Sequence, residues 1–264
     1  MKKITKVFAM IAGIIAVIGI VMCIAGLAMG VNLKDGLSYF KYKSHVSFGM
    51  EDIDEVFVSK DIEDLEIKSK IGHIELKVYD GDTIKVTGKA ASKVEMSVKG
   101  NKFKYEDTSE NVIGSKHNED DYKIEILIPA NIELKEVEIE VGAGEFMSDG
   151  IRVTKELEAS VGAGHMEFSN AKVEDIKMEC GVGQFTYSGT INGNADVSGG
   201  IGQIVFNLEQ PENDFNYEAD NGIGEISLNN NSFASLANDM KIDNNAPRDF
   251  KVDCGVGAIE INTK

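Results

Sequence analysis

A short phrase recurs six times between Val141 and Ile261, and it constrains the fold more than any other feature of the chain. It reads Val141-Gly142-Ala143-Gly144-Glu145-Phe146, then Val161-Gly162-Ala163-Gly164-His165-Met166, then Cys180-Gly181-Val182-Gly183-Gln184-Phe185. It returns at Gly199-Gly200-Ile201-Gly202-Gln203-Ile204, Asn221-Gly222-Ile223-Gly224-Glu225-Ile226 and Cys254-Gly255-Val256-Gly257-Ala258-Ile259. Between successive second glycines the gaps are 20, 19, 19, 22 and 33 residues. A fixed period near twenty is the signature of a solenoid, in which each repeat is one coil stacked on the last.

Reading down the aligned columns gives the local geometry. The position between the glycines is apolar in every copy (Ala143, Ala163, Val182, Ile201, Ile223, Val256). The position after the second glycine is mostly polar, and the next (Phe146, Met166, Phe185, Ile204, Ile226, Ile259) is wholly apolar. Two residues on, Phe168, Tyr187, Phe206, Leu228 and Ile261 continue the pattern, with Ser148 the exception. Period-two alternation marks a strand with one buried face. Ala143 and Phe146 are three residues apart, so a flat strand cannot point both inward. Inward parity is therefore expected to switch at the second glycine, a bend that glycine tolerates through positive φ and the lack of a side chain. The expectation is an all-β chain: a parallel β-solenoid (β-helix or β-roll) of roughly 20-residue coils about 4.8 Å apart.

Two other readings of the glycines fail. Calcium-binding nonapeptide repeats need an Asp where Ile204 stands, and their period is about nine. A dinucleotide or phosphate loop needs a helix to follow, whereas strand-like alternation follows here every time.

Residues 1–30 are different material. Lys2, Lys3 and Lys6 precede an uncharged run from Val7 to Gly30, long enough to cross a bilayer as one N-terminal transmembrane helix. The basic flank predicts a cytoplasmic N-terminus and an extracytoplasmic remainder. Gly26-Leu27-Ala28 offers a cleavage site, but the apolar run exceeds a signal peptide's, which favours an uncleaved signal-anchor. Met22 before Cys23 argues against a lipoprotein. All 44 acids and 24 of the 27 basic residues lie after Gly30, so that portion is strongly acidic and expected to avoid nucleic acid. The expected organisation is a signal-anchor (1–30), a juxtamembrane stalk (31–52) and an extracytoplasmic β-strand-repeat domain (53–264).

Short strands are predicted at Val56–Val58, Leu65–Ile67, Ile74–Val78, Ile84–Val86, Val94–Val98 and Tyr122–Pro129. Ile71-Gly72-His73-Ile74-Glu75-Leu76 resembles a degenerate repeat with Lys70 in place of the first glycine. Residues 105–121 read as a polar loop. The 33-residue gap before Gly257 holds an insertion in which Phe233-Ala234-Ser235-Leu236-Ala237 suggests a short helical turn.

No catalytic constellation emerges, so the chain is read as a non-enzyme with no catalytic, cofactor-binding or metal site. Cys180 and Cys254 occupy one column and in a regular solenoid lie three coils apart, about 14 Å, which is beyond disulfide reach. His73 and His165 share the outward column after the glycine and are expected to lie far apart. Glu138, Glu140, Glu145 and Glu167 are close in sequence, but no aromatic sugar platform accompanies them.

An apolar N-terminal segment, a strand ending Ile126-Leu127-Ile128-Pro129-Ala130 and repeated Gly-x-Gly-polar-apolar coils resemble the bacterial "putative adhesin" β-strand-repeat domain family of unknown function. The resemblance covers most of 53–264 and implies an adhesin-like interaction or structural role at the cell surface. Some relatives accompany envelope stress-response systems, so it also implies a sensor or regulator acting through a membrane partner. The expected partners are the membrane, crossed once, and a protein or cell-envelope component. No cofactor is expected.

Overall fold

A computed structural model describes residues 51–90, 94–107, 122–229 and 231–264. The predicted transmembrane helix, most of the predicted stalk and most of the predicted polar loop lie outside the described residues; the last two stalk residues, Glu51 and Asp52, belong to a strand. Among the described residues, no helix is long and apolar enough to cross a membrane. The chain is all-β. Its strands are β1 (Glu51–Val58), β2 (Asp64–Tyr79), β3 (Thr83–Ala90), β4 (Val94–Lys99), β5 (Lys102–Asp107) and β6 (Lys123–Pro129), followed by the repeats β7 (Leu134–Asp149), β8 (Arg152–Ile191, spanning two repeats) and β9 (Ala195–Leu208). A 3-10 turn at Glu212–Asp214 precedes β10 (Asn216–Leu228), β11 (Asn231–Ile242) and β12 (Asp249–Asn262). The strands predicted in the first half are all present, and so is the degenerate repeat, with Gly72 opposite Gly144.

Each repeat is one strand folded at its Gly-x-Gly. Before the glycines, alternate residues such as Val137, Ile139 and Val141 are buried; after them, Phe146 and Ser148 are buried, so the inward parity has shifted. The buried side chains of both arms belong to one core, closed on the turn side by Ile151, Ala171 and Ile191. Aromatic rings run through that core along the stack: Phe146 to Phe168 at 5.5 Å, Phe185 to Phe206 at 5.4 Å and Phe206 edge-on to Phe250 at 4.8 Å between centroids.

The bend differs from the sequence expectation in one respect. The apolar residue between the glycines does not point inward: Val182 is 52% exposed, and its counterparts in the other repeats are partly or fully exposed. The inward residue is the one before the first glycine, as in Val141, Val161 and Cys180. The chain turns its corner between these positions, leaving the intervening side chain on the convex edge. Glycine is required at the corner because neighbouring backbones nearly touch there. Gly183 has φ +145°, and a Cβ on it would collide with the carbonyl oxygen of Gly164 in the preceding repeat. Lys70 shows the converse. Beneath β2 the ladder is split between β5, which pairs Asp64–Lys68, and β6, which pairs His73–Tyr79. Position 70 falls in the break, where a side chain meets no stacked bend.

The stacking order is not the chain order. The path through the sheet is β1-β3-β6-β2-β7-β8-β9-β12-β10-β11. Gly257 lies opposite Gly202 on one side and Gly224 on the other, so the last repeat is inserted between β9 and β10. The 33-residue gap is the excursion this insertion needs. β10 is placed one strand away from β9, β11 returns antiparallel on its far side, and 243–248 carry the chain back to the open slot. The predicted helical turn at Phe233–Ala237 is therefore wrong; those residues are the middle of β11. They alternate poorly in sequence, and pairing along the whole of β10 overrides their weak local preference. The crossing is pinned by side-chain amides. Asn216 Oδ1 accepts from the Asn244 and Ala246 backbone N–H groups at 3.1 and 3.0 Å, and Asn244 donates to Phe215 O at 2.8 Å. Insertion also moves the cysteines closer than expected. Cys180 and Cys254 flank Gly199, two ladder steps or about 9.6 Å apart, and both are buried free thiols.

Gly183→Ala is expected to cost about 3 kcal/mol or more, because it adds backbone overlap to an unfavourable φ. Gly100 also has positive φ, but open space surrounds its Cβ direction. Gly100→Ala is therefore expected to cost only about 1 kcal/mol. Paired urea melts of the two variants check the contrast.

Candidate functional site

The outward face of the arm before the glycines is the most organised surface of the repeats. In-register stacking turns each outward position into a row across the sheet. One row runs Glu66, Glu138, Glu158, Lys177, Asp196, Lys251, Glu218, Lys241, and the next runs Lys68, Glu140, Ser160, Glu179, Ser198, Asp253, Asp220, Asp239. Between them a shallow hollow of about 280 Å³ is lined by Glu138, Glu140, Glu158, Lys177, Glu179 and Asp196, among others.

The two ends of this face differ in charge compensation. At the β2 end, Lys68 Nζ lies 2.6 Å from Glu138 and 2.9 Å from Glu140, and Lys104 Nζ lies 3.0 Å from Glu66. Those carboxylates hold the Lys68 ammonium above its usual pKa. Further along, Lys177 is drawn to Glu156 at 2.6 Å. Among the described residues, no ion pair reaches Glu158, Glu179, Asp196 or Asp253. At the far end, Asp239, Asp220 and Asp253 are consecutive across three strands. A hydrogen bond that protonated Asp220 donates to Asp239, followed by desolvation, raises the Asp220 pKa. This far half presents a negative field suited to a cationic partner.

The arm after the glycines carries a tighter network. Glu75 accepts from Lys123 and Lys77, each at 2.6 Å, and lies 3.1 Å from His73 Nε2. Its pKa is lowered to about 2, first by the Lys123 hydrogen bond and then by Lys77. His73 Nδ1 also meets Glu145 Oε2 at 2.6 Å. The register His73–Glu145–His165 corrects the expectation that these histidines lie far apart: only Glu145 separates them. β2 stacks directly on β7 although 54 residues of chain intervene, which sequence spacing alone conceals. Glu138 and Glu140 are brought together, but as partners of Lys68 rather than as an acid/base pair. Glu145 and Glu167 lie on the other arm, with His73 and His165. Among the described residues, no group of three or more His, Cys, Asp or Glu could hold a metal ion.

The two perturbed carboxylates give opposite pH signatures. Glu75 has a depressed pKa, so its contribution is present above the unfolded value and is lost as pH falls toward about 2. Glu75→Gln is expected to cost about 1–2 kcal/mol at neutral pH, with the deficit shrinking in acid melts. Asp220 has a raised pKa, so its contribution is present in acid and lost as pH rises through the folded value. Asp239→Asn is therefore expected to stabilise at neutral pH, by about 0.5 kcal/mol, and to lose that advantage near pH 3.

Among curated proteins, no sequence matches this chain. The solved structures similar to it include two that are covered over nearly their whole length. A putative cell adhesion protein from Clostridium sporogenes is 15% identical, with 81% of this chain and all of that one covered and a TM-score of 0.43. A putative adhesin from Bacteroides fragilis is 13% identical, with 81% and 98% covered and a TM-score of 0.32. Residues 62–263 match the Toastrack DUF4097 family over the whole run of bent, stacked repeats, and the chain is a member of that family.

Proposed function

We propose that the protein is a membrane-anchored, extracytoplasmic β-solenoid that acts as an adhesin-like interaction module at the cell surface, and not as an enzyme. The observation that carries this reading is the acidic excess of the far half of the outward face, where Glu158, Glu179, Asp196, Asp253, Asp220 and Asp239 lie on successive strands of one sheet and Lys177, Lys251 and Lys241 offset only part of their charge. Such a face recognises by charge and spacing: it offers many weak contacts to an extended cationic surface and no enclosed reaction volume. The anchor reading rests on Lys2, Lys3, Lys6 and the uncharged run to Gly30, which together orient a single span with the repeats outside.

The second reading is an envelope sensor that signals through a partner helix in the membrane. It is favoured by Gly13, Gly19 and Gly26, small residues that permit close helix packing within the apolar run.

Proximity crosslinking of the full-length protein in its native membrane, beside a version lacking residues 31–264, separates the two. The interaction-module reading expects a partner that is lost with the repeats, weakened by added salt, and weakened roughly tenfold by Glu158→Lys with Glu179→Lys. A partner captured equally by both versions assigns recognition to the anchor and favours the sensor.

A further inference from the structure

β11 ends the stack. It is 12 residues long and pairs only with β10, so among the described residues its outer edge of backbone N–H and C=O groups faces no strand. Proteins usually blunt such an edge with proline, central lysines or a short strand. Here residues 231–238 contain neither proline nor a charged residue, in a chain of net charge −17. The nearest charges, Asp239 and Lys241, are opposite in sign.

The bend decides what can pair with this edge. β11 follows β10 around the corner, with Leu236 opposite Ile223 and Ser235 opposite Gly224. Any further strand must turn the same corner at the same place, so a flat strand does not fit. Leu236 lies almost at the midpoint of β11. A twofold axis beside Leu236, midway to the added strand and parallel to the bisector of the corner, exchanges the two arms and lays a second β11 antiparallel on the first over residues 231–241. In that register Lys241 falls opposite Asn231, Asp239 opposite Phe233 and Ser235 opposite Ala237, so no two like charges meet.

We infer that the protein forms a homodimer by antiparallel pairing of β11 with β11 of a second copy, centred on Leu236. The interface is isologous, as a closed pair requires, and its register is set by matching bends. It does not depend on the acidic face or on adhesion, and it leaves that face open on both copies.

The test uses the full chain in detergent solution, with Cys23→Ser to remove the thiol outside the described residues; the other two cysteines are buried. Leu236→Cys should oxidise to a covalent dimer, whereas Ser232→Cys, placed opposite Met240, should not. By sedimentation, Ser235→Lys with Ala237→Lys puts like charges opposite each other twice and should weaken the dimer roughly tenfold or more. Ser235→Lys with Ala237→Glu puts opposite charges at the same two places and should restore it, which separates a pairing effect from a folding one. A monomeric parent protein, equal crosslinking at 232 and 236, or equal loss in the Lys/Lys and Lys/Glu variants overturns the proposal.

Discussion

Everything in the repeats depends on a contact between backbones. At each corner the second glycine lies so close to the carbonyl of the glycine in the neighbouring repeat that no Cβ fits between them. That approach lets strands which turn sharply remain hydrogen-bonded on both sides of the turn. The arms then share one core, and each row of side chains stays in register through the stack. A side chain at the corner would pry neighbouring repeats apart and break the ladder on both arms. The split ladder under Lys70 shows the limit of the rule: where no bend is stacked, glycine is not needed.

Register carried through such corners turns sequence position into surface pattern. The outward residues of successive repeats become rows, and the rows differ by arm. Before the glycines, acids accumulate faster than lysines can neutralise them, except next to β2 and β5. After the glycines, Glu75 collects Lys77, Lys123 and His73 into a compensated network. The electrostatic asymmetry follows from which strands flank β2, since Lys104 and Lys123 arrive on β5 and β6 from elsewhere in the chain.

The insertion of β12 has consequences for both ends. It buries the C-terminal repeat between two neighbours, so the last residues of the chain are not the exposed terminus of the stack. Asn229 fastens this arrangement by binding the Thr263 hydroxyl and backbone at 2.8 Å each. Among the described residues, the exposed end passes to β11, whose residues 231–238 carry neither proline nor charge.

The sequence by itself determined the period, the strand character, the buried columns Phe146 to Ile259 and the need for glycine at a bend, because these follow from local alternation and from the φ that glycine permits. It also revealed the degenerate copy at Gly72. Three things were decided only by the tertiary structure. The residue between the glycines faces outward, because the corner uses up the half-turn that alternation alone assigns to the interior. The final repeat sits out of order, because a parallel ladder accepts any strand with a matching bend and chain order does not constrain it. The rows of charge, including Asp239–Asp220–Asp253 and His73–Glu145–His165, join residues from distant parts of the chain. Stacking brings them to one ladder step, and no spacing in the sequence records that distance.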